Sequence, residues 1–414
     1  MKVLMFGWEF PPFKSGGLGT ACFDLTKGLS KQGISVTFVM PKAPEGAQAD
    51  FVKLLGTNNY MKNVKIRKVD SILTAYNTSD SYSETAKRYK VMGTKGNNVY
   101  GKDLYEEVER FSKVAEIIAK EEDHDIIHAH DWMAYAAGIN ARNVSGKPLI
   151  CHIHATEFDR TGGNPNNYIS HKEYRGLKEA DLVIANSEYT KQNVIKQYNI
   201  DASKIHVVHW GVDDENPDYY EDYRHKLSDH DKIVLFLGRV TLQKGPDYFV
   251  NTAKKVLDFA PNTKFVMAGT GDMLPKMIEK SAELGISHKM MFTGFLEGKE
   301  VNRAFKMADL YVMPSVSEPF GMVALESIKN GTPILISKQS GVSEVVTNAL
   351  KSDFWDTDDM ANKIVGALKY GHMYNELKDN SSREAGKFNL ETPAKKTIHV
   401  YNKALEMSRT RGVC

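Results

Sequence analysis

The stretch of sequence that decides the fold is LYVMPSVSEPFGMVALES, residues 310–327. Its first four residues are apolar and predict a buried strand. Gly321 then frees the backbone to turn into a helix, whose first amide groups point back toward the strand end. A phosphate could bind to those amides. The stretch therefore predicts one strand–helix unit of an α/β sheet, with ligand-binding groups where the strand ends.

The same alternation of short apolar runs and longer helical stretches fills the rest of the chain, which is typical of parallel sheets. A polar stretch at residues 214–231 divides it into two series and predicts a linker. We therefore predict an α/β protein with two Rossmann-like domains facing a central cleft. The strand candidates are residues 2–7, 35–40, 125–128, 148–152, 181–185 and 204–208, and then 232–238, 264–269, 290–294, 310–313 and 333–337.

The predicted domain boundaries follow from this division. The N-terminal domain comprises residues 1–210 and the C-terminal domain residues 211–392. The tail, residues 393–414, is predicted to form a helix that packs back on the first domain. Residues 48–100 are polar and weakly periodic, so they predict only an irregular insertion with marginal strands.

The composition argues against several classes of function. The 414 residues include 54 basic and 52 acidic side chains, and the net charge of +2 supplies no global field to attract nucleic acid or an anionic membrane. Three scattered cysteines, Cys22, Cys151 and Cys414, are too few for a disulfide framework, which predicts a cytoplasmic protein. No window approaches the roughly 18 apolar residues of a membrane span, although peripheral attachment to a membrane stays open.

Two cations follow the first strand of the second series. Arg239 and Lys244 are five positions apart at the carboxyl end of that strand, where parallel sheets bind ligands. They could converge on one diphosphate, Arg239 as a bidentate fork and Lys244 as a point charge. The alternative is a pair of solvated surface cations.

Two carboxylates accompany the helix that follows Gly321. Glu318 lies just before the helix and Glu326 about two turns beyond its start, so they would reach different parts of one ligand. The alternative is that Glu318 merely caps the helix and Glu326 is solvated. The apolar residues 322–325 argue against an ordinary exposed face.

A glycine-rich turn follows the first strand of the chain, with the sequence KSGGLGT at residues 14–20. Its glycines would let the backbone approach a ligand, and the next helix would offer its N–H groups to an anion. The turn matches neither the dinucleotide fingerprint G-x-G-x-x-G nor the P-loop. A tight turn that only packs strand on helix is the alternative.

Histidines cluster at two strand ends, with HAHDW at residues 128–132 and HIHATEFDR at residues 152–160. Alternation along a strand can direct one imidazole into a cleft and its neighbour into the core. His128 and His152 would then be buried histidines bonded to the backbone. A zinc site is the alternative, and it would require the histidines of both strands to converge.

These segments together resemble the retaining glycosyltransferases of family 4 with the GT-B fold, relatives of the glycogen and starch synthases. The resemblance covers essentially the whole chain. Its carriers are KSGGLG at residues 14–19, HAHDW at 128–132, Gly238-Arg239 with Lys244-Gly245, and EPFG at 318–321 followed by Glu326, the E-x7-E signature.

The resemblance implies a role for each matching residue. Catalytic roles fall to His154, Arg239, Lys244 and Glu318, of which the two cations would hold the diphosphate and Glu318 the hydroxyls of the sugar. The acceptor side would be lined by His130, Asp131 and Trp132. The donor would be bound by Lys14, Gly16, Gly17, Gly271, Phe295, Leu296, Gly321, Met322, Val323 and Glu326.

The chemistry that the resemblance implies uses no cofactor and no metal. The departing phosphate oxygen would help to deprotonate the acceptor on the face that the leaving group vacates, so no protein nucleophile is needed. Arg239 and Lys244 would meet the charge of the leaving nucleotide.

The implied activity is transfer of a hexosyl unit, glucose in the first place, from ADP- or UDP-glucose to an α-1,4-glucan. The partners would be a nucleotide sugar and a glucan or other saccharide, and not nucleic acid; the oligomeric state stays open. Thr20 departs from the synthases, which carry Asp there. The alternatives are a family-4 enzyme of cell-surface or lipid-linked polysaccharide synthesis and, from another class, a nucleotide-sugar epimerase.

Overall fold

The computed structural model describes residues 1–11, 17–41, 52–56, 104–213 and 231–411. The first of two parallel sheets runs in the order β3-β2-β1-β4-β5-β6-β7. Its strands are β1 (Lys2–Phe6), β2 (Ser35–Met40), β3 (Lys53–Gly56), β4 (Ile126–His130), β5 (Leu149–Ile153), β6 (Leu182–Ala185) and β7 (Ile205–Val207).

The second parallel sheet runs in the order β10-β9-β8-β11-β12-β13. Its strands are β8 (Lys232–Leu237), β9 (Thr263–Ala268), β10 (Met290–Gly294), β11 (Leu310–Met313), β12 (Ile334–Ser337) and β13 (Leu350–Ser352). The prediction of two Rossmann-like α/β domains is therefore confirmed. The short strand β13 was not among the predicted strands.

Helices cover both sheets. In the first half of the chain they are α1 (Gly17–Lys31), α2 (Leu104–Glu121), α3 (Asp131–Ser145), α4 (Glu157–Thr161), α5 (Asn167–Glu179) and α6 (Glu188–Tyr198). In the second half they are α7 (Pro246–Phe259), α8 (Leu274–Glu283), α9 (Lys299–Met307), α10 (Met322–Lys329), α11 (Thr357–Lys369), α12 (Gly371–Ala385) and α13 (Glu391–Arg411). Among these described helices, none combines the length and the apolar character that a membrane crossing requires.

Strand β8 illustrates why these segments fold as buried strands. Ile233 and Leu235 pack in a core that is continuous with the first domain, whereas Val234 and Phe236 pack in a separate core of the second domain. Successive side chains of a strand point to opposite faces, and helices cover both faces of a parallel sheet. Because both faces of β8 are buried, its side chains are apolar without interruption from Ile233 to Leu237.

Each sheet has a switch point beside its first strand. β1 lies between β2 and β4, and β8 lies between β9 and β11. The loops that leave the carboxyl ends of such neighbouring strands diverge to opposite sides and open a crevice between them. The fold thus places one crevice after β1 and β4 and a second after β8 and β11.

The last helix packs on the first domain although it follows the second. A Cβ atom on Gly28 of α1 would lie 2.6 Å from the Leu390 carbonyl oxygen and 3.2 Å from Cβ of Ala394, so α1 and α13 are in close contact. The returning chain runs beside the outgoing one, because the Val212 amide donates to the Phe388 carbonyl at 3.0 Å.

Two of the predicted segments fall largely where the chain is not described. Of the linker at residues 214–231, only residue 231 lies within the described ranges. Of the insertion at residues 48–100, only residues 52–56 do, and they contribute the edge strand β3 to the first sheet.

Candidate active site

The crevice of the second sheet brings Lys244 and Glu318 into direct contact. The Lys244 ammonium forms an ion pair with the Glu318 carboxylate, and Ser315 Oγ donates to the same carboxylate at 3.3 Å. The side chains of Lys244 and Glu318 are 19% and 8% exposed. An anionic ligand that reaches this crevice would therefore compete with Glu318 for the Lys244 charge.

Arg239 stands on the same loop, one turn before Lys244. Its Nη2 donates to Gln243 Oε1 at 3.3 Å, and a 3-10 turn, Leu242–Lys244, carries the chain from one cation to the other. Gly245 ends the turn at φ +64, where a Cβ atom would lie 2.1 Å from the Pro314 carbonyl oxygen. Only glycine lets the two loops of the crevice approach so closely.

The loop that carries Glu318 is held by the backbone of the next loop. Glu318 N–H donates to the Gln339 carbonyl at 3.0 Å, and Gly341 N–H donates back to the Glu318 carbonyl at 2.9 Å. Val342 N–H donates to the Phe320 carbonyl at 2.7 Å. These bonds hold residues 318–320 outside the helix, which starts only at Met322.

This late start corrects the expected place of Glu326. It is the fifth residue of α10, one turn into the helix and not two. Gly321 precedes the helix at φ +105, and no side chain caps the N-terminus. The alternative in which Glu318 caps the helix is therefore wrong. The amides of Met322 and Val323 lie at an N-terminus that attracts anions.

The crevice of the first sheet contains His154, just beyond β5. Its backbone is held on both sides, since its N–H donates to Asp131 Oδ1 at 2.8 Å and Asn186 Nδ2 donates to its carbonyl at 2.8 Å. Its Nε2 is hydrogen-bonded to His130 Nδ1 at 2.9 Å, and its ring stacks on Trp210 at 5.2 Å. Burial lowers the pKa of His154 to about 3, so the imidazole is neutral at physiological pH.

Asp131, which accepts the hydrogen bond from His154 N–H, has an unusual backbone conformation. Its φ is +60, a left-handed conformation that non-glycine residues seldom adopt, and it is the first residue of α3. Burial raises the pKa of its carboxyl to about 6, although Arg160 and the amides of His154 and Ala155 act to lower it. Such strain and desolvation gather at functional sites.

His130, Asp131 and Trp132, the residues expected to line the acceptor side, lie beneath the surface of the cleft. Each exposes 4% or less of its area. His130 and Asp131 contact His154, and Trp132 packs edge-on against Tyr105. In this arrangement His130 and Asp131 support His154, whereas Trp132 packs against Tyr105.

The histidines of both strands do converge. The ligand nitrogens of His128, His130 and His152 lie within 4.8 Å of one another, as do the ligand atoms of Cys22, His130 and His154. His128 Nε2 is bonded to His152 Nδ1 at 3.3 Å, and burial lowers the pKa of all four imidazoles. The neutral rings bond one another, but His130 Nε2 and His152 Nε2 are buried without a hydrogen-bond partner in the described part of the chain. The cluster therefore meets the geometric condition for the zinc alternative.

The remaining predicted residues occupy different surroundings. Gly17 is exposed at the start of α1, with open space where a Cβ would stand. Gly271 is pressed against the Val240 carbonyl, 2.2 Å from where its Cβ would be, so it has a packing reason to be glycine. Phe295 is 60% exposed and Leu296 packs on the core. Lys14 and Gly16 lie outside the described residues.

Contacts between the domains were not predicted. Ser317 Oγ donates to Asp159 Oδ1 at 2.7 Å, and Ser187 Oγ donates to the Pro319 carbonyl at 2.5 Å. Ser187 also accepts from Thr190 N–H and so caps α6. The segment N-S-x-x-T after β6 carries the helix-start signature that could have drawn attention to it.

A buried ionic cluster supports the segment after His154. Arg160 pairs with Glu157 and Glu173, and it donates to the Ala155 carbonyl at 2.9 Å. Burial raises the pKa of Glu173 to about 7 in spite of Arg160 and Tyr198. One guanidinium thus faces two carboxylates, and the raised pKa of Glu173 reduces the negative charge that is buried beside it.

Two protein families match the chain, one in each half. The family described as "Glycosyltransferase Family 4" matches residues 15–216, and "Glycosyl transferases group 1" matches residues 220–384. The first match contains the histidine crevice and the second contains Arg239, Lys244 and Glu318.

Curated relatives include two glycosyltransferases and a glycogen synthase. An uncharacterized glycosyltransferase of Methanocaldococcus jannaschii is 29% identical over 98% of this chain and 99% of its own length. A D-inositol 3-phosphate glycosyltransferase of a Mycobacterium species is 31% identical over 60% of each chain. The glycogen synthase of Mycobacterium tuberculosis is 24% identical over 84% of this chain and 80% of its own.

Solved structures share the whole architecture. Sucrose-phosphate synthase from Thermosynechococcus elongatus has a TM-score of 0.74 at 17% identity, covering 98% of this chain and 99% of that one. Anabaena HepE, solved in complex with UDP and glucose, has a TM-score of 0.67 at 18% identity, covering 97% and 100%. At these identities the likeness concerns the fold.

Proposed function

The chain is a glycosyltransferase of the GT-B fold, and from this premise we propose that it transfers a hexosyl unit, glucose in the first place, from ADP- or UDP-glucose to an α-1,4-glucan with retention. The observation that carries the proposal is the contact between Lys244 and Glu318 at the switch point of the second sheet. This contact places a cation that could bind phosphate, Lys244, and a carboxylate that could accept hydrogen bonds from sugar hydroxyls, Glu318, in one crevice.

The ion pair suggests how the donor would enter. The diphosphate would take Lys244 and Arg239, and the carboxylate of Glu318, released from Lys244, would accept hydrogen bonds from the sugar. The amides at the start of α10 would add donors to the phosphate. Each charge would keep a partner before and after binding, so donor entry would leave no buried charge unpaired.

His154 would contact the transferred sugar as a neutral ring. Positive charge develops on the anomeric carbon and the ring oxygen as the donor bond breaks, and an imidazolium would oppose it. Burial keeps the pKa of His154 near 3, which supports a hydrogen-bonding role and argues against a general acid at neutral pH. The leaving phosphate oxygen would take the acceptor proton, with Arg239 and Lys244 stabilising the departing nucleotide.

The glucan acceptor is supported by the relationship to a glycogen synthase. The relative that acts on an inositol phosphate supports a small phosphorylated acceptor as the second candidate. The two candidates differ in the product, which is a longer glucan in one case and a soluble glycoside in the other. Membrane-attached acceptors stay within the same reaction class.

The test is to incubate the purified protein with ADP-, UDP- and GDP-sugars, each with glycogen, with malto-oligosaccharides and with no acceptor. Nucleotide release and product mass are measured together. We expect release of ADP or UDP only with glucan, and growth of the oligosaccharide by hexose units. Nucleotide release with another acceptor would mean that this molecule, and not a glucan, is the acceptor substrate. Isomerisation of the donor without any acceptor would instead indicate an epimerase.

A further inference from the structure

The carboxylate of Glu344 belongs to the second domain but bonds to the first. It accepts from the backbone N–H groups of Glu188 at 2.9 Å and Tyr189 at 2.7 Å, at the N-terminus of α6. The same carboxylate is bonded to His209 Nε2 at 2.9 Å. A carboxylate at a helix N-terminus is stabilised by the amides and by the helix dipole.

Glu344 is only a few residues from the loop that carries Glu318. It ends the 3-10 turn Gly341–Glu344, and the first residue of that turn donates its N–H to the Glu318 carbonyl at 2.9 Å. The second residue, Val342, donates to the Phe320 carbonyl at 2.7 Å. The turn that carries Glu344 is therefore tied by backbone hydrogen bonds to the loop that carries Glu318.

On the side of the first domain, the contact leads to the cleft histidine. His209 bonds Glu344, and the next residue, Trp210, stacks on His154 at 5.2 Å. The ring of His209 also lies 6.1 Å from that of Phe320. His209 and Trp210 thus contact Phe320, on the loop that carries Glu318, on one side and His154 on the other.

We propose that Glu344 is a positioning residue that fixes the loop carrying Glu318, in the second domain, relative to His154 of the first. It contacts neither reacting group itself. Its bonds to Glu188, Tyr189 and His209 hold the two domains in the relative arrangement in which Glu318 and His154 face one substrate. The inference rests on the proposed donor site, because Glu318 and His154 must both contact the sugar for their relative position to matter.

A control with the same chemistry exists in the same domain. Glu384 accepts from the backbone N–H groups of Thr347 at 3.0 Å and Asn348 at 2.9 Å, and from Thr347 Oγ1 at 2.6 Å. All of these partners lie within the second domain. Glu384→Gln therefore removes a carboxylate that accepts a comparable set of backbone N–H groups, here in a loop, without touching a contact between domains.

The experiment compares Glu344→Gln, Glu344→Asp and Glu384→Gln in the full chain. Urea unfolding, the Kd of the nucleoside diphosphate that the wild type releases, and kcat with saturating donor are measured for each. For Glu344→Gln we expect kcat to fall about tenfold while the Kd changes less than about twofold, since loss of hydrogen bonds to a charged group affects the joined domains and not the phosphate contacts. Glu344→Asp should recover part of kcat.

Glu384→Gln should reduce the free energy of unfolding and leave kcat within about twofold of the wild type. If Glu344→Gln and Glu384→Gln lower kcat equally, or if Glu344→Gln leaves kcat unchanged, the positioning role is wrong. A wild type that neither binds nucleotide nor turns over any nucleotide sugar would instead overturn the proposed function, so the two failures are distinct.

Discussion

Tyr401 in the C-terminal helix and His128 in the first sheet, 273 positions apart in the sequence, are joined by a hydrogen bond of 2.7 Å between the phenolic oxygen and Nδ1. Both residues are fully buried. The end of the chain thus closes the histidine cluster beneath the first crevice, and α13 takes part in the domain that holds His154.

Tyr401→Phe should therefore destabilise the fold. It removes the hydroxyl partner of a buried imidazole, which costs about 1–3 kcal/mol when the partner is left unsatisfied. Urea unfolding at pH 7.5 measures the change. Tyr370→Phe, at a side chain that is 67% exposed, is the control and should change stability by less than about 0.5 kcal/mol. Equal stabilities of the two variants would show that the hydrogen bond between Tyr401 and His128 contributes nothing measurable to stability.

Lys244→Ala should reduce kcat/KM by a factor that corresponds to about 2–4 kcal/mol of transition-state stabilisation, the usual loss for one donor to a developing anion. The physical reason is that Lys244 is the proposed cation for the leaving diphosphate and is only 19% exposed. Steady-state kinetics with varied donor gives the value.

Lys254→Ala is the matched control for Lys244. Lys254 lies on α7 and forms an exposed i,i+4 pair with Asp258, so its removal should leave kcat/KM unchanged. Near-normal turnover of Lys244→Ala would remove this lysine from the phosphate site.

The buried histidines should make the fold sensitive to acid. Burial lowers the pKa of His152 well below 6.5, so in acid the unfolded chain binds a proton that the folded chain does not. Stability from this source is complete above pH 6.5 and is lost as the pH falls. For each such group the free energy of unfolding changes by up to about 1.4 kcal/mol per pH unit.

His152→Phe tests this dependence. Phenylalanine can keep the stacking with Trp210, whose ring is 5.0 Å away at an interplanar angle of 1°, but it takes up no proton. We expect lower stability overall and a shallower loss between pH 6 and pH 4 than in the wild type. The same replacement at the exposed His399 is the control. An unchanged slope for His152→Phe would show that this imidazole does not titrate on unfolding.

The parts of the site that were predictable depend on rules local to a strand. The carboxyl ends of parallel strands gather at one edge of a sheet, so cations after β8 and a carboxylate after β11 were expected in the same crevice. Lys244 and Glu318 are in contact there. A turn from strand to helix at Gly321 was likewise expected, and this residue has a φ of +105 in the structure.

The parts that were not predictable depend on contacts between distant segments. Glu326 is one turn into its helix because the helix begins only at Met322, after a segment that accepts backbone hydrogen bonds from Gly341 and Val342. His130 lies beneath the cleft surface in a cluster closed by Tyr401 and Trp210, neither of which is near it in sequence. Strand β13 has only three residues, too few for a period to be recognised.

Activity should persist in excess chelator. Arg239, Lys244 and the amides of α10 are proposed to neutralise the diphosphate, which in many other transferases is the task of a divalent ion. The purified protein is assayed with its preferred nucleotide sugar before and after treatment with EDTA, and again with added Mg²⁺, Mn²⁺ or Zn²⁺. We expect rates within about twofold of the untreated enzyme in every case.

A collapse of the rate that Mg²⁺ or Mn²⁺ restores would mean that the leaving group needs a metal. A collapse that only Zn²⁺ restores would direct attention to the cluster of His128, His130 and His152, whose nitrogens lie within 4.8 Å of one another.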